Sequence, residues 1–298
     1  MTDCTAGPAT ETFVAHRNLL FTVAYEMLGS AADAEDVLQE TWLRWVKVDP
    51  AQVRDGRAFL VRITTRLSLD RLRTVKRRRE AYVGPWLPEP LLTAPDAAED
   101  VELAGSVSMA IMLVLETLSP TERAVFVLRE AFGFGYDEIG AAVEKSPAAV
   151  RQIAHRARQH VEARRPRESV SPTQVQAAVE SFRRALVTGD FQSLLHVLAP
   201  DVVLVTDGGG LRKAALRPVI GAEKVIRYVT GGIRKADVTL SAELTVINGN
   251  PAVLLRVDGA IDGVLAMRLE DARVTGIYYV RNPEKLTRLA SETLLIRR

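Results

Sequence analysis

Prolines decide first what this chain can become. Pro85, Pro88, Pro90 and Pro95 fall within one short stretch, Val83-Gly84-Pro85-Trp86-Leu87-Pro88-Glu89-Pro90 and onward. No helix runs through such spacing, because each proline removes a backbone donor and clashes with the turn before it. A second break follows at Arg164-Arg165-Pro166-Arg167-Glu168-Ser169-Val170-Ser171-Pro172. Before the first break and again from about 98 to 163, apolar residues recur at three- and four-residue steps, the period of amphipathic helices. Beyond the second, one helix (173–187) and a short one (222–230) accompany strand-like runs at 198–206, 238–246, 252–257, 264–269 and 274–280. Each of the last four is bounded by Gly, Asn or Asp, as in a meander. The expected fold is therefore multidomain: two all-α helical domains, 12–82 and 98–165, then an α+β domain at 173–298, with linkers at 83–97 and 166–172.

Charge is segregated in the same zones. The formal net charge is only +2. Yet Arg54 to Arg79 holds ten Lys/Arg against Asp55 and Asp70, and Lys145 to Arg167 holds seven against Glu162. Two basic blocks some seventy residues apart suit a polyanion, although a solvated helix face accounts equally well for either alone. One cysteine, Cys4, excludes a disulfide framework and a thiolate metal site. The four histidines show no ligand spacing, so neither metal nor cofactor is expected. The N-terminus has no signal-peptide pattern, and the longest apolar run falls far below the ~20 residues that span a bilayer. A cytoplasmic protein without a membrane partner is expected.

The second basic block sits on a helix-turn-helix pattern. Ser119-Pro120-Thr121-Glu122 combines a capping residue, a first-turn proline and a capping-box glutamate. A short helix follows at 136–143, and Ser146-Pro147 repeats the cap and opens a longer one. Val150, Ile153, Ala154, Ala157 and Val161 form its inner stripe. Arg151, Gln152, His155, Arg156, Arg158 and Gln159 face outward, the side-chain types that pair with base edges and phosphates in a major groove.

The front half carries an acidic helix, Asp33 to Trp45. Its Asp33, Glu35 and Asp36 suit the positive helix N-terminus, and on spacing alone it is an ordinary surface helix. A basic helix follows, Arg57 to Arg73, running into Lys76-Arg77-Arg78-Arg79. Its apolar stripe, Phe59, Ile63, Leu67 and Leu72, is expected to pack inward.

Asp33 to Trp45 followed by Arg57 to Arg73 resembles region 2 of bacterial sigma factors of the extracytoplasmic-function (ECF) type. Leu115 to Arg158 resembles their region 4. The resemblance implies that Asp33, Glu35, Asp36, Gln39 and Glu40 bind core RNA polymerase at the clamp coiled coil of its largest subunit, with the flap as a further contact. It assigns Arg62, Arg66, Asp70, Arg71, Arg73 and Arg77 to the −10 element, where melted strands are held by backbone neutralisation and stacking. It assigns Ser146, Arg151, Gln152, His155 and Arg156 to the −35 element of promoter DNA. Two positions depart from the family pattern: Arg66 stands where many relatives have Asn, and Glu144 stands in a turn where Gly is common.

The back half is similar to the SnoaL-like branch of the NTF2-like cone fold, an extension found in the SigJ-like subgroup of these factors. Trp86 to Pro90, Asp207-Gly208-Gly209-Gly210 and Asn282-Pro283-Glu284-Lys285-Leu286 resemble that subgroup's motifs. The resemblance implies that they tune sigma activity in cis, the last motif opening a terminal helix. Related cones include enzymes. Here Asp201, Asp207, Asp258, Asp262 and His196 show no acid/base spacing, so no catalytic residue is assigned. A pocket for an unidentified small ligand is left open. The competing readings are a cone enzyme or ligand sensor fused to a DNA-binding module, and a one-component repressor.

Overall fold

A computed structural model describes residues 7–49, 52–93, 106–164, 171–234 and 239–296. Contacts divide the chain into two units: 1–78, 114–164 and 294–298 in one, 79–113 and 165–293 in the other.

The first unit is helical. α1 (Pro8–Leu28) ends where Gly29, at φ 68°, turns its N–H back to Tyr25 O. Its last turns are buried all round, from Leu19 through Leu28, as a central helix requires. Ser30 then caps α2 (Ala31–Trp45) by accepting from Asp33 N. α2 turns Val37, Leu38, Thr41 and Trp45 inward. The Trp45 indole N–H donates to Ala9 O at 2.7 Å, which satisfies the one polar atom of a side chain only 1% exposed. In α3 (Gly56–Glu80) the buried seam is Leu60, Val61, Thr64, Leu67, Ser68, Leu72 and Val75. Phe59 and Ile63, expected inside, are only half-buried. The seam is rotated because the Thr64 hydroxyl meets that of Thr41 on α2 at 3.2 Å; two small hydroxyls let the helices approach where two large side chains would hold them apart.

α4 (Met109–Leu115) leads into α5 (Pro120–Phe126), whose Ser119–Glu122 capping box forms as the sequence predicts. A π-helical turn, Val127–Ala131, follows. α6 (Tyr136–Val143) and α7 (Pro147–Glu162) make the helix-turn-helix. α7 buries the stripe read from sequence: Val150, Ile153, Ala154, Ala157 and Val161.

The second unit is a six-stranded sheet carrying helices. α8 (Pro172–Thr188) and the single turn α9 (Leu194–Val197) precede β1 (Leu198–Asp207). β2 (Val219–Ile220), α10 (Ala222–Arg234) and the meander β3 (Leu240–Ile247), β4 (Asn250–Val257), β5 (Ala260–Glu270) and β6 (Arg273–Val280) follow. The sheet order is β2-β1-β6-β5-β4-β3, antiparallel except for β1 against β6. Two-residue turns join the meander: Asn248-Gly249, Asp258-Gly259 and Asp271-Ala272, all at positive φ. That geometry matches strand twist and explains the Asn/Asp-Gly pairs. This is the order of helix, strand, helix and meander expected for the α+β domain.

The sheet is buried on both faces, so the middle of β5, 263–267, is a continuous apolar run rather than alternating. On one face Val253, Leu255, Leu265 and Ile277 meet Val179, Phe182 and Leu186 of α8. On the other, Ala252, Val264, Ala266, Tyr278 and Val280 meet Leu87, Met109, Leu286 and Leu289. The proline-rich segment is thus part of this unit. Leu87 and Leu91 are fully buried. Leu92 forms a β-bridge with Ile247, Thr93 N donates to Val246 O at 3.0 Å, and Asn248 N donates to Leu91 O at 2.9 Å. Prolines end the helix, but the residues between them still have donors and apolar side chains to offer a sheet.

Where a terminal helix is expected after Asn282, the chain makes two 3-10 turns, Pro283–Lys285 and Thr287–Ala290. Asn282 caps as foreseen, accepting from Glu284 N at 3.0 Å. Lys285 is drawn away to a buried partner and Ser291 is extended, so no second helical turn propagates.

Candidate nucleic-acid interface

In α7 the burial of one stripe leaves the other free. Ser146 acts first as the helix cap, accepting from Ala149 N at 3.3 Å. Beyond it Arg151, Gln152, His155 and Arg156 are exposed. Arg151 lies 5.8 Å over the Tyr136 ring, and Arg158 is tied to Glu130 at 2.6 Å. The turn before α7 is held tight: a Cβ at Gly140 would stand 2.6 Å from the Lys145 carbonyl oxygen. Glu144 adopts φ 57°, ψ 48°, the left-handed conformation a glycine takes without cost.

The cations of α3 are more occupied. Arg66 donates to the carbonyls of Ala142 and Ala141, at 3.4 and 2.9 Å, and pairs with Glu144 at 3.3 Å. It therefore covers the unsatisfied carbonyls at the end of α6, where a cation is favoured. The two positions that depart from the family pattern meet each other. Arg71 bridges Asp33 at 2.6 Å and Asp36 at 2.7 Å. Partial burial works against its charge, but the two carboxylates outweigh this and hold its pKa above the ordinary value. Arg73 pairs with Asp70 at 2.7 Å, and Arg62 lies 4.8 Å over the Phe59 ring. Arg77 continues the backbone of α3, but its side chain lies outside the described residues.

On α2, Glu35 pairs with Arg17 at 2.8 Å and Glu40 with Arg44 at 2.6 Å, leaving Gln39 exposed without a side-chain bond. These are mostly exposed pairs, each worth about 0–1 kcal/mol, and they exchange readily for intermolecular ones. Sequence reasoning missed Arg123. It is 2% exposed, donates twice to Glu26 O at the end of α1, and pairs with Glu116. Burial lowers its pKa to about 9, which leaves it charged at neutral pH. Its only sequence signal is a place beside the α5 cap.

The Asp207 and Asn282 motifs converge on one buried network in the second unit. Asp207, 0% exposed, accepts from Tyr82 Oη at 2.6 Å, Gly209 N at 3.1 Å, Leu87 N at 2.8 Å and Lys285 Nζ at 2.7 Å. Lys285 also donates to Leu87 O and lies over the Tyr82 and Trp86 rings. Arg79 stacks 3.4 Å over the other partner of that cage, Trp86. Asn282 donates to Tyr82 Oη at 2.8 Å. A Cβ at Gly209 would run into the Asn282 side chain, which is why glycine stands there. Gly208 and Gly210 complete the bend, and Pro283, Glu284 and Leu286 form the facing turn. Burial pulls Lys285 down to about 8 despite Asp207, and burial with Asp207 pushes Tyr82 far up.

Of the other carboxylates, Asp262 is buried, accepts two bonds from Arg281 (3.0 and 2.7 Å), and accepts from the Tyr279 hydroxyl. Burial raises its pKa, but Arg281 and Tyr279 more than reverse this and hold it below the ordinary value. The pairing spans 19 residues of sequence and two strands, so no local spacing reveals it. Among the described residues no group of three His, Cys, Asp or Glu could hold a metal, and no helix is long and apolar enough to cross a membrane.

Residues 12–78 match sigma-70 region 2, and 108–161 match sigma-70 region 4. The ECF RNA polymerase sigma factor SigJ of Mycobacterium tuberculosis is 35% identical over 288 residues, 92% of each chain. The probable ECF sigma factor SigI of the same organism is 33% identical, covering 96% of this chain and 97% of its own. The crystal structure of M. tuberculosis SigJ superposes with a TM-score of 0.74 at 33% identity, over 93% of this chain and 98% of that one. The chain belongs to the ECF family of RNA polymerase sigma factors, and it directs transcription initiation through interaction with core polymerase and promoter DNA.

Proposed function

We propose that α7 reads the −35 element through Arg151, Gln152, His155 and Arg156. In this reading α3 holds the melted −10 strand through Arg62, Arg66, Arg71, Arg73 and Arg77, while Asp33, Glu35, Asp36, Gln39 and Glu40 of α2 dock on the clamp coiled coil. The flap takes region 4. The observation that carries the reading is the exposed face of α7, whose apolar stripe is spent on packing while its base-reading side chains are not. The occupied cations of α3 imply an order of events: Arg66 leaves the end of α6, and Arg71 releases Asp33 and Asp36, before either group meets its target.

The second unit tunes this activity in cis. Asp207, Gly208, Gly209, Gly210, Asn282, Pro283, Glu284, Lys285 and Leu286 fasten the proline-rich segment to the sheet, so whatever loosens them frees the chain between regions 2 and 4. Catalysis is not part of the function. A buried carboxylate with hydrogen-bonded partners, Asp262, is the one observation that favours a cone enzyme. A general base works with a pKa near the operating pH, whereas Arg281 holds Asp262 ionised and weakly basic.

Copurification with core polymerase, and transcription from a cognate promoter in a purified system, test the assignment. Asp36→Lys with Glu40→Lys is expected to abolish core binding while circular dichroism stays unchanged. Core binding that survives the double reversal removes α2 from the interface. A repressor would lose nothing by it.

A further inference from the structure

The second unit encloses a cavity of about 910 Å³ between α8, α10 and the sheet, within the roughly 300–1,000 Å³ of small-molecule sites. Its walls are apolar, with Phe182 and Leu186 from α8, Leu204 from β1, and Leu255, Leu265 and Ile277 from the meander. Four of its polar residues stand together: Arg281 bonds Asp262 and the Lys213 carbonyl, and the charge of Arg212 acts on Asp262. Among the described residues Asp262 is the sole carboxylate of the lining, against Arg212, Lys213, Arg227 and Arg281. Arg281 is spent: it bonds Asp262 twice and donates to the Lys213 carbonyl at 2.6 Å. Four cations and one carboxylate among the described lining residues leave an excess of +3: Arg212 shares Asp262 with Arg281, and Lys213 and Arg227 have no acidic partner among the described residues.

Three exposed like charges lining a low-dielectric cleft bias its field towards positive. A neutral apolar guest leaves that field uncompensated; a cationic one meets it head on. Leu211, 58% exposed in the same lining, adds apolar surface beside the charges.

We propose that this cavity binds an amphipathic organic anion, its apolar body among the α8 and sheet side chains and its single acidic head against Arg212, Lys213 and Arg227. The proposal rests on the reading that the second unit regulates rather than catalyses. It adds the chemical class of the signal: the ionised Asp262–Arg281 pair is a fixed floor that the head group sits beside, not a reacting couple.

Isothermal titration of the full chain with dodecanoate, dodecanol and dodecyltrimethylammonium, all below their micelle concentrations, tests it. Dodecanoate is expected to saturate one site. Dodecanol should bind roughly tenfold weaker and the cation more weakly still, from loss and reversal of the charge interaction. Arg212→Ala, Lys213→Ala and Arg227→Ala combined should weaken dodecanoate by roughly tenfold and leave dodecanol unchanged. These three positions are exposed, so the fold is expected to survive. Val229→Trp, on the wall, should weaken both ligands. Equal affinity for dodecanoate and dodecanol, indifference to the triple change, indifference to Val229→Trp, or no saturable heat each overturns the proposal. Core binding and transcription are measured on the same preparation without ligand. Their loss would refute the sigma assignment, whereas absent heats with intact transcription refute only the ligand.

Discussion

The two units handle charge in different ways. The helical unit holds ions at the surface, in exposed pairs such as Arg44–Glu40 and Arg73–Asp70, and leaves Arg151 and Arg156 of α7 without an ion pair. The sheet unit has surface pairs too, such as Arg256–Glu243, but it buries two, Lys285 with Asp207 and Arg281 with Asp262, and satisfies them with further hydrogen bonds. Surface pairs contribute little and exchange cheaply, which suits a surface that must change partners. A buried pair is costly to break from one side, which suits a fastening. Among the described residues of the helical unit Arg123 is an exception, its buried guanidinium joining the end of α1 to α5.

The largest effect should come from breaking a buried pair. Asp207→Ala removes the carboxylate that holds Lys285 and leaves the Leu87 and Gly209 N–H groups and the Tyr82 hydroxyl without their acceptor, at a cost of about 3–5 kcal/mol in unfolding free energy. A denaturant titration that finds no loss would mean the network is not fastened. Next, Arg156→Ala on α7 should cost about 1–3 kcal/mol in promoter affinity, read by DNA binding of the polymerase complex at fixed salt. Its melting temperature should not move; a drop there would make the α7 face structural and erase the contrast. Arg66→Ala and Glu144→Gly should each shift stability by under about 1 kcal/mol, since glycine relieves the left-handed backbone as the exposed ion pair is lost. Non-additivity in their double-mutant cycle would locate the coupling between them. A further effect is a pH slope. Lys285 sheds its proton near 8 when folded, against about 10.5 when unfolded. Between those values the unfolded chain binds more protons, so stability should rise with pH through that window. Lys285→Met should flatten the rise.

Much of this was legible locally. The Ser119 and Ser146 caps and the α7 stripe follow from residues within one or two turns of each other, and so do the Asn-Gly and Asp-Gly turns of the meander. What local reading missed depends on pairs distant in sequence. The α3 seam rotates because Thr41 meets Thr64. Arg66 finds its carbonyls 75 and 76 residues away. The prolines of 83–93 announce a break, but only Ile247 and Asn248 reveal that the broken chain docks. Periodicity likewise cannot distinguish a terminal helix from two 3-10 turns when a buried lysine decides between them. For the candidate interfaces, residue types were readable and occupancy was not.

The bridge between Leu92 and Ile247 carries one more consequence. β3 ends the sheet, and the proline-bearing segment covers the outer backbone groups at its Val246 and Ile247 end. Any event that peels the segment away, a protease cut within 83–93 included, bares a template for foreign strands. A long-lived open form would then collect other copies of itself.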